Sequence, residues 1–548
     1  MLSVAGRSLA GMSHSDVLDP ETDPAATWAL DPQDVRRLTA RVVAAGDGRD
    51  AARSVTVRSP LTGAPLAELP LSTPADVAAA VERARAAQRA WEQVPVRDRA
   101  RVLARVHDLV LARRSEVIDL VQLENGKARV GAYEEVADVA LVASHYARRA
   151  GRHLAPRRVP GLLPGLTRTV VHHRPVGVVG VVAPWNYPLT LVLGDALPAL
   201  VAGNAVVVKP DPQTSLTALW AAALLTDAGL PDGLVQVVTG DGPTVGSALV
   251  DHVDHVLFTG STPTGRVVAQ RAAGRLVGAS LELGGKNALY VTDDVDVEVA
   301  AEGAVRSCFA GTGQLCVSIE RLVLHEAVAD AFLAAFVRRV RALRLGAALD
   351  YSADVGSLTS AAQLERVERH VHDAVGRGAT VLTGGVHRTD VGPLFYEPTV
   401  LDRVPDGALV ATEETFGPVV TVHRVADDDA AVRLVDATPF GLAASVWSRD
   451  VRRGRRVAER VRCGIVAVNE GYMAAWGSTA APIGGVKDSG SGRRHGREGL
   501  LATTWTQTVA VQHGTHHGLG LGRLLAMPGE RWTELFTQAL RVRHRIGL

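Results

Sequence analysis

What most limits the fold of this chain is a series of short, uninterrupted apolar runs between residues 176 and 283, each separated from the next by a helical stretch. The runs are Ala205–Lys209 (AVVVK), Val235–Thr239 (VQVVT), His255–Thr259 (HVLFT) and Ser280–Leu283 (SLEL), with helices expected around 190–202, 214–228, 243–251 and 264–274. A strand with one wet face alternates apolar and polar residues, because successive side chains point to opposite faces. These runs do not alternate, so both faces are buried. A strand–helix–strand order achieves that with a parallel sheet covered by helices on both sides. Several strands end in glycine before a helix, at Gly240 and Gly260. Ligands of such sheets bind beyond the C-terminal strand ends, and a dinucleotide is expected there.

A second α/β pattern runs from about 285 to 485: ALYVT (288–292), a helix near 325–343, ATVLTGG (379–385), PVVTVHRV (418–425) and ASVWS (444–448). Upstream, a polar leader contains a capped helix start at Asp31-Pro32, and Thr73-Pro74 starts another helix. Thr167–Arg174 and Val176–Val182 are β-rich runs that meet at Pro175, and 505–512 reads as a late strand. The tail holds a helix with Trp532, Leu535, Phe536, Ala539 and Leu540 on one face, expected to pack on its own or a partner subunit.

The chain has 548 residues, enough for two to four domains of about 100–200 residues. Fifty-nine basic against 58 acidic residues argue against a nucleic-acid-binding protein, whose footprint is a basic excess. Three cysteines, Cys308, Cys316 and Cys463, make no disulfide framework and point to a reducing cytoplasm. No His/Cys cluster has zinc spacing, so no metal is expected, and His513, His516 and His517 read as a solvated run. Met1 to Ser15 has no signal-peptide pattern. The uncharged run 175–194 is long enough to raise a membrane span, but its central Pro184, Asn186 and Pro188 make it strand, loop and helix start, so no stable membrane insertion is expected.

Four local patterns carry chemistry. Cys316, in Gly313-Gln314-Leu315-Cys316, is either a nucleophile or a small buried hydrophobe. Glu282, in an apolar strand before Gly284-Gly285, is either a general base with a burial-raised pKa or a satisfied structural carboxylate. Asn186, between Pro184 and Pro188, is either an oxyanion donor or a turn residue. Gly260, Ser261 and Gly265 sit at a strand-to-helix junction that suits a pyrophosphate or an ordinary turn.

Taken in order, PWNYPL (184–189), GNAVVVKP (203–210), FTGSTPTG (258–265), LELGGKN (281–287), GQLC (313–316), EETFGPV (413–419) and GGVKDSGSGR (484–493) resemble the aldehyde dehydrogenase superfamily. The resemblance implies its α/β fold: a Rossmann-like parallel-sheet NAD(P)-binding domain (51–156 and 176–284), an α/β catalytic domain (285–485) and an oligomerisation β-ribbon (157–175 and 500–512). An N-terminal extension (1–50) and a tail (513–548) flank them. A homodimer or homotetramer acting on a small-molecule aldehyde is implied. Cys316 takes the role of nucleophile, Asn186 that of oxyanion donor and Glu282 that of the base for thioester hydrolysis. Glu414 and Phe416 resemble the nicotinamide-ribose and ring contacts, Lys209 an adenosine-ribose ligand, Ser261 a pyrophosphate contact and Trp185 a cofactor neighbour. Pro212 stands where NAD-preferring relatives often carry Glu, which points to NADP, with NAD possible.

LFYEPTVL (394–401), GLAASVWSRD (441–450) and DSGSGRRHGREGLL (488–501) look most like the bacterial succinate-semialdehyde dehydrogenase branch. Two arginines that hold the distal carboxylate in that branch are Gly194 and Ala310 here. Arg306, Arg321 and Ser478 are the candidate replacements; otherwise the substrate is a neutral aldehyde.

Overall fold

The computed structural model describes residues 4–7, 27–44, 54–162, 167–513, 522–523, 526–545 and 547. Its first large sheet has the order Gly490–Ser491, Gly278–Glu282, His255–Thr259, Val178–Val182, Ala205–Lys209, Val235–Val237. All neighbours are parallel except the two-residue edge strand Gly490–Ser491. The chain runs outward from Val178–Val182 through two strands, then returns to lay His255–Thr259 on the other side. That reversal opens a crevice beyond the ends of Val178–Val182 and His255–Thr259, where a parallel sheet binds its ligand. The loops leaving these strands carry Trp185-Asn186 and Gly260-Ser261.

Run 175–194 divides as its prolines require: strand Val178–Val182, a loop, and helix Pro188–Ala202 with Pro188 at its first position. Every residue of that helix is buried, so its apolar character reflects a core position. Among the described residues no helix is long and apolar enough to cross a membrane.

The second sheet has the order Thr380–Thr383, Thr399–Asp402, Val419–Val425, Ile319–His325, Asn287–Val291, Ala443–Trp447, Ile465–Val468. The sequence pattern does not reveal Ile319–His325, near the middle of this sheet, because Glu320 and Arg321 interrupt its apolar run. Both are buried and partnered: Glu320 with Lys286, Arg321 with the backbone oxygens of Lys286, Leu434 and Val435. Thr399–Asp402 begins inside the LFYEPTVL motif, ends one residue past it and carries too few residues to signal a strand.

A third, antiparallel sheet pairs Thr504–Gln512 with Thr167–Pro175, and that with Arg157–Pro160. The β-rich stretch 167–182 therefore serves two sheets, changing over at Pro175. Tail helix Gly529–Arg545 brings Trp532 and Phe536 edge to face at 5.4 Å, leaves Leu535 and Leu540 exposed, and donates from Arg543 Nη1 to Leu162 O at 2.8 Å. His516, His517 and much of the N-terminal leader lie outside the described residues.

Candidate active site

Cys316 follows helix Val297–Phe309 and the tight turn Ala310–Gly313. Gly313 has φ +70°, and a Cβ there would stand 2.9 Å from the Pro418 nitrogen, so the turn that presents Cys316 needs glycine. Burial pushes the Cys316 thiol up to about 12; Glu282 and Glu414 push the same way and Arg494 opposes them. As the site stands, Cys316 is a thiol.

Asn186 is buried, and its Nδ2 donates to Gln314 O at 3.0 Å while Oδ1 has no partner. A cluster upstream holds its loop. Asn125 Nδ2 donates to Trp185 O (2.9 Å), and Lys127 Nζ donates to Asn186 O (2.6 Å) and Glu135 Oε1 (2.7 Å). Glu135 Oε2 accepts the Leu189 and Thr190 N–H groups, capping helix Pro188–Ala202 from outside its own sequence. Glu135 and Lys127 are fully buried, and sequence reading missed both. The only signal was ionisable residues interrupting otherwise helical apolar patterns.

Glu282 ends its strand with Oε1 buried and unpartnered, and burial raises its carboxyl to about 7 despite the nearby Arg494. That value suits a base at neutral pH. Arg494 grips Asp195 through two 2.8 Å bonds and donates to Thr259 Oγ1 at 2.9 Å. Neither Arg494 nor Asp195 was foreseen; they lie 299 residues apart and become a pair only on folding.

Gly284 lets Glu414 approach: a Cβ there would lie 2.9 Å from the Glu414 carboxyl carbon, and Gly285 N–H donates to Glu414 Oε1 at 2.7 Å. Burial raises Glu414 to about 7. The next residue, Lys286, pairs with Glu320, whose carboxylate accepts the Thr415 and Phe416 N–H groups at 2.8–3.0 Å. LELGGKN thus positions EETFGPV, with Glu320 of the Ile319–His325 strand as the link. Phe416, at φ +58°, meets Trp185 edge-on at 5.4 Å.

Two cavities meet at Cys316. One, of about 1510 Å³, is lined by Trp185, Asn186, Gly260, Ser261, Glu282, Cys316, Glu414 and Phe416. It extends along the crevice to the start of helix Thr262–Gly274, whose first N–H groups favour an anion. The other, of about 630 Å³, shares Asn186 and Cys316 with it and runs outward between Tyr187, Leu191, Tyr472 and Trp476 to exposed Leu141 and Met473. Its charged lining groups are Glu134 and Asp138. Tyr472 OH donates to Glu134 (3.3 Å) and Trp476 Nε1 to Asp138 (2.8 Å); burial raises both carboxyls, Asp138 to about 7.

Three expected cofactor residues line neither cavity. Lys209 is buried at the end of the adjacent strand, its Nζ on Pro210 O at 3.1 Å, with Pro212 in the next turn. Gly265 packs its helix on Leu283, where a Cβ would meet Cδ1 at 2.9 Å. Arg306, Arg321 and Ser478 line neither cavity: Arg321 is spent on backbone oxygens, and Arg306 and Ser478 are exposed. Gly194 and Ala310 also lie outside the apolar cavity. Cys308 is buried core.

A parallel-sheet crevice that fits a dinucleotide, ending on a thiol between an amide and a carboxyl group, defines the class, and comparison with known proteins agrees. The chain belongs to the aldehyde dehydrogenase family, whose model matches residues 48–509, and so is an oxidoreductase. It is 49% identical over 501 residues (91% of this chain, 96% of the relative) to a Mycolicibacterium smegmatis protein named "Putative succinate-semialdehyde dehydrogenase" for NADP(+). It is 36% identical to the mitochondrial succinate-semialdehyde dehydrogenase of Oryza sativa subsp. japonica, over 82% of this chain and 84% of that one. Among solved structures it is similar to an E. coli NADP-dependent enzyme (33% identity, TM-score 0.80, 84% of this chain and 95% of that one).

Proposed function

We propose that this enzyme oxidises an aldehyde to a carboxylic acid with NADP, through Cys316 as nucleophile, and that succinate semialdehyde is its substrate. The chemistry rests on one observation: Cys316 and Asn186 stand where the apolar cavity opens into the crevice cavity, with Glu282 on the wall of the latter. Cys316 gives up its S–H proton to solvent as Sγ bonds to the aldehyde carbon; the thiolate released at the end of the cycle takes a proton back from solvent. The oxygen that gains charge is held by the Cys316 backbone N–H and by the Asn186 Nδ2 hydrogen not given to Gln314. NADP, when bound among Trp185, Ser261, Glu414 and Phe416, supplies the hydride acceptor that leaves the carbon as a Cys316 thioester. Glu282 takes a proton from water as the water oxygen bonds to that carbon; the C–S bond breaks and Cys316 leaves as thiolate.

NADP is supported by the names of the M. smegmatis and E. coli relatives and by Pro212, which leaves no carboxylate beside Lys209 at that position. Asp211 is engaged in its own turn, accepting Gln213 N–H at 3.0 Å. Succinate semialdehyde is supported by the relatives' names. One observation favours a second reading, a neutral aldehyde: the apolar cavity is lined by two carboxyl groups and no Lys or Arg. The test is kcat/KM for succinate semialdehyde against butanal, each with NADP and NAD. A hundredfold preference for the acid, about 2.7 kcal/mol, supports the first reading; a ratio near one supports the second.

The domain limits given above remain our reading, as does a homodimer or homotetramer built through the ribbon, whose Trp505, Val509 and Val511 are exposed. A cytoplasmic setting is supported by the three free cysteines.

A further inference from the structure

The apolar cavity that runs outward from Cys316 holds two acids among aromatic rings. Glu134, Asp138 and Leu141 line it from one face of helix Arg129–His153, spaced as neighbours on a helix face are. Tyr472 and Trp476 line it as well, and their polar tips reach the acids: Tyr472 OH donates to Glu134 and Trp476 Nε1 to Asp138 Oδ1. The other oxygen of Asp138, Oδ2, is buried without a hydrogen-bond partner, on a residue only 6% exposed. Thr190 Oγ1, also in the cavity wall beside this carboxyl, has no partner either.

The cations that act on the two acids are committed elsewhere. Lys127, near Glu134, is bonded to Glu135, and Arg494, near Asp138, is bonded to Asp195. Arg306 also acts on Glu134, but it is exposed and does not line the cavity. His495 Nε2 stands 4.0 Å from Asp138 Oδ1, and burial pushes its imidazole down to about 3, so it brings no charge. A neutral substrate leaves both acids buried with nothing to offset their desolvation, and an anionic one adds repulsion. A cation does the reverse: it favours the ionised carboxylates, and the π faces of tyrosine and tryptophan attract it further.

We propose that this cavity accepts aldehydes that carry an ammonium group, primary or quaternary, at the far end, with Glu134 and Asp138 as its counter-ions and the rings of Tyr472 and Trp476 as its walls. The proposal goes beyond succinate semialdehyde and rests on the reading of Cys316 as the nucleophile where this cavity begins. The chemistry at the aldehyde carbon is the one given above, and the product is an amino acid whose ammonium lies at the opposite end from the new carboxylate.

Two isosteric pairs isolate the charge. 3-Aminopropanal and butanal differ by an ammonium in place of a methyl group; 4-(trimethylammonio)butanal and 5,5-dimethylhexanal differ by nitrogen in place of carbon. kcat/KM is measured for all four, with NADP and with NAD, at pH 8, where Asp138, at about 7, is mostly ionised. The expected result is a preference for the cation of about tenfold or more in at least one pair. A smaller preference in both pairs overturns the proposal. Asp138→Asn and Glu134→Gln should each lower the preference, and the double variant should bring it close to one; a preference that survives the double variant overturns the assignment of these acids as counter-ions. If the double variant does not fold, the single variants decide by the same criterion. Oxidation of succinate semialdehyde without a cation preference overturns this proposal alone. Turnover of every aldehyde retained in Cys316→Ala overturns the reading of the site, and this proposal with it.

Discussion

Glu282→Gln keeps the shape of the side chain and removes its capacity to accept a proton. With its carboxyl at about 7, Glu282 is about a tenth ionised at pH 6, half at pH 7 and nine-tenths at pH 8. Where hydrolysis limits turnover, native kcat therefore rises about tenfold from pH 6 to pH 8 and then levels. A positioned general base contributes about 10²–10⁴ in rate, or about 3–5 kcal/mol. Glu282→Gln should lose that factor and the pH limb with it, while the acylation burst remains, because Cys316 and Asn186 are untouched. The assay is stopped-flow NADPH formation followed into steady state from pH 6 to pH 9. A Gln variant with native kcat, or one that keeps the limb near pH 7, refutes the assignment. A second consequence follows from linkage. A carboxyl whose pKa is raised on folding contributes stability that is full below about 4.5 and lost as pH rises through about 7. The Gln variant should escape a penalty on the order of 3 kcal/mol at pH 9, read as a smaller fall in denaturation midpoint between pH 4.5 and pH 9.

Two further substitutions test the frame around the crevice. Gly284→Ala would drive its Cβ against Glu414 and break the Gly285 N–H bond to that carboxylate, a charge-assisted bond of about 1.5–3 kcal/mol, so KM for NADP should rise about 10- to 100-fold; an unchanged KM would count against Glu414 as a cofactor contact. Lys286→Met and Glu320→Gln each leave a buried charge unpaired, at about 3–5 kcal/mol apiece, and the double variant should cost clearly less than the sum in a urea double-mutant cycle, whereas additivity within about 0.5 kcal/mol would mean the pair is not coupled.

The parallel sheet was legible because its strands are apolar on both faces, and Cys316, Glu282 and Asn186 were legible as candidates because each sits in a compact local motif. What stayed hidden shares one physical cause. Ile319–His325 was masked by Glu320 and Arg321, which are tolerable in a core strand only because Lys286 and three backbone oxygens meet them there. Lys127, Glu135, Asp195 and Arg494 hold Asn186 and flank Glu282, yet each reads locally as an ordinary surface charge on a helix or loop. Their partners are distant in sequence, and only folding removes the water that would otherwise solvate them. The misplaced expectation for Arg321 is the mirror image: a charge available in sequence is consumed by carbonyls in the fold.

Two other buried acids give a test of substrate choice. Glu134 and Asp138 line the apolar cavity, and burial raises both, Asp138 to about 7. Below that value Asp138 is mostly neutral and can donate a hydrogen bond to a distal carboxylate. Above it, the cavity turns anionic and repels one. Butanal has no charge to respond. The ratio of kcat/KM for succinate semialdehyde over butanal should therefore fall as pH rises from 6 to 8. Glu282 acts after the acyl-enzyme has formed and so enters neither kcat/KM value, which leaves the cavity as the group that titrates. A ratio constant across that range would mean that the distal carboxylate does not reach Asp138, and that the apolar stretch toward Leu141 and Met473 meets the far end of the substrate instead.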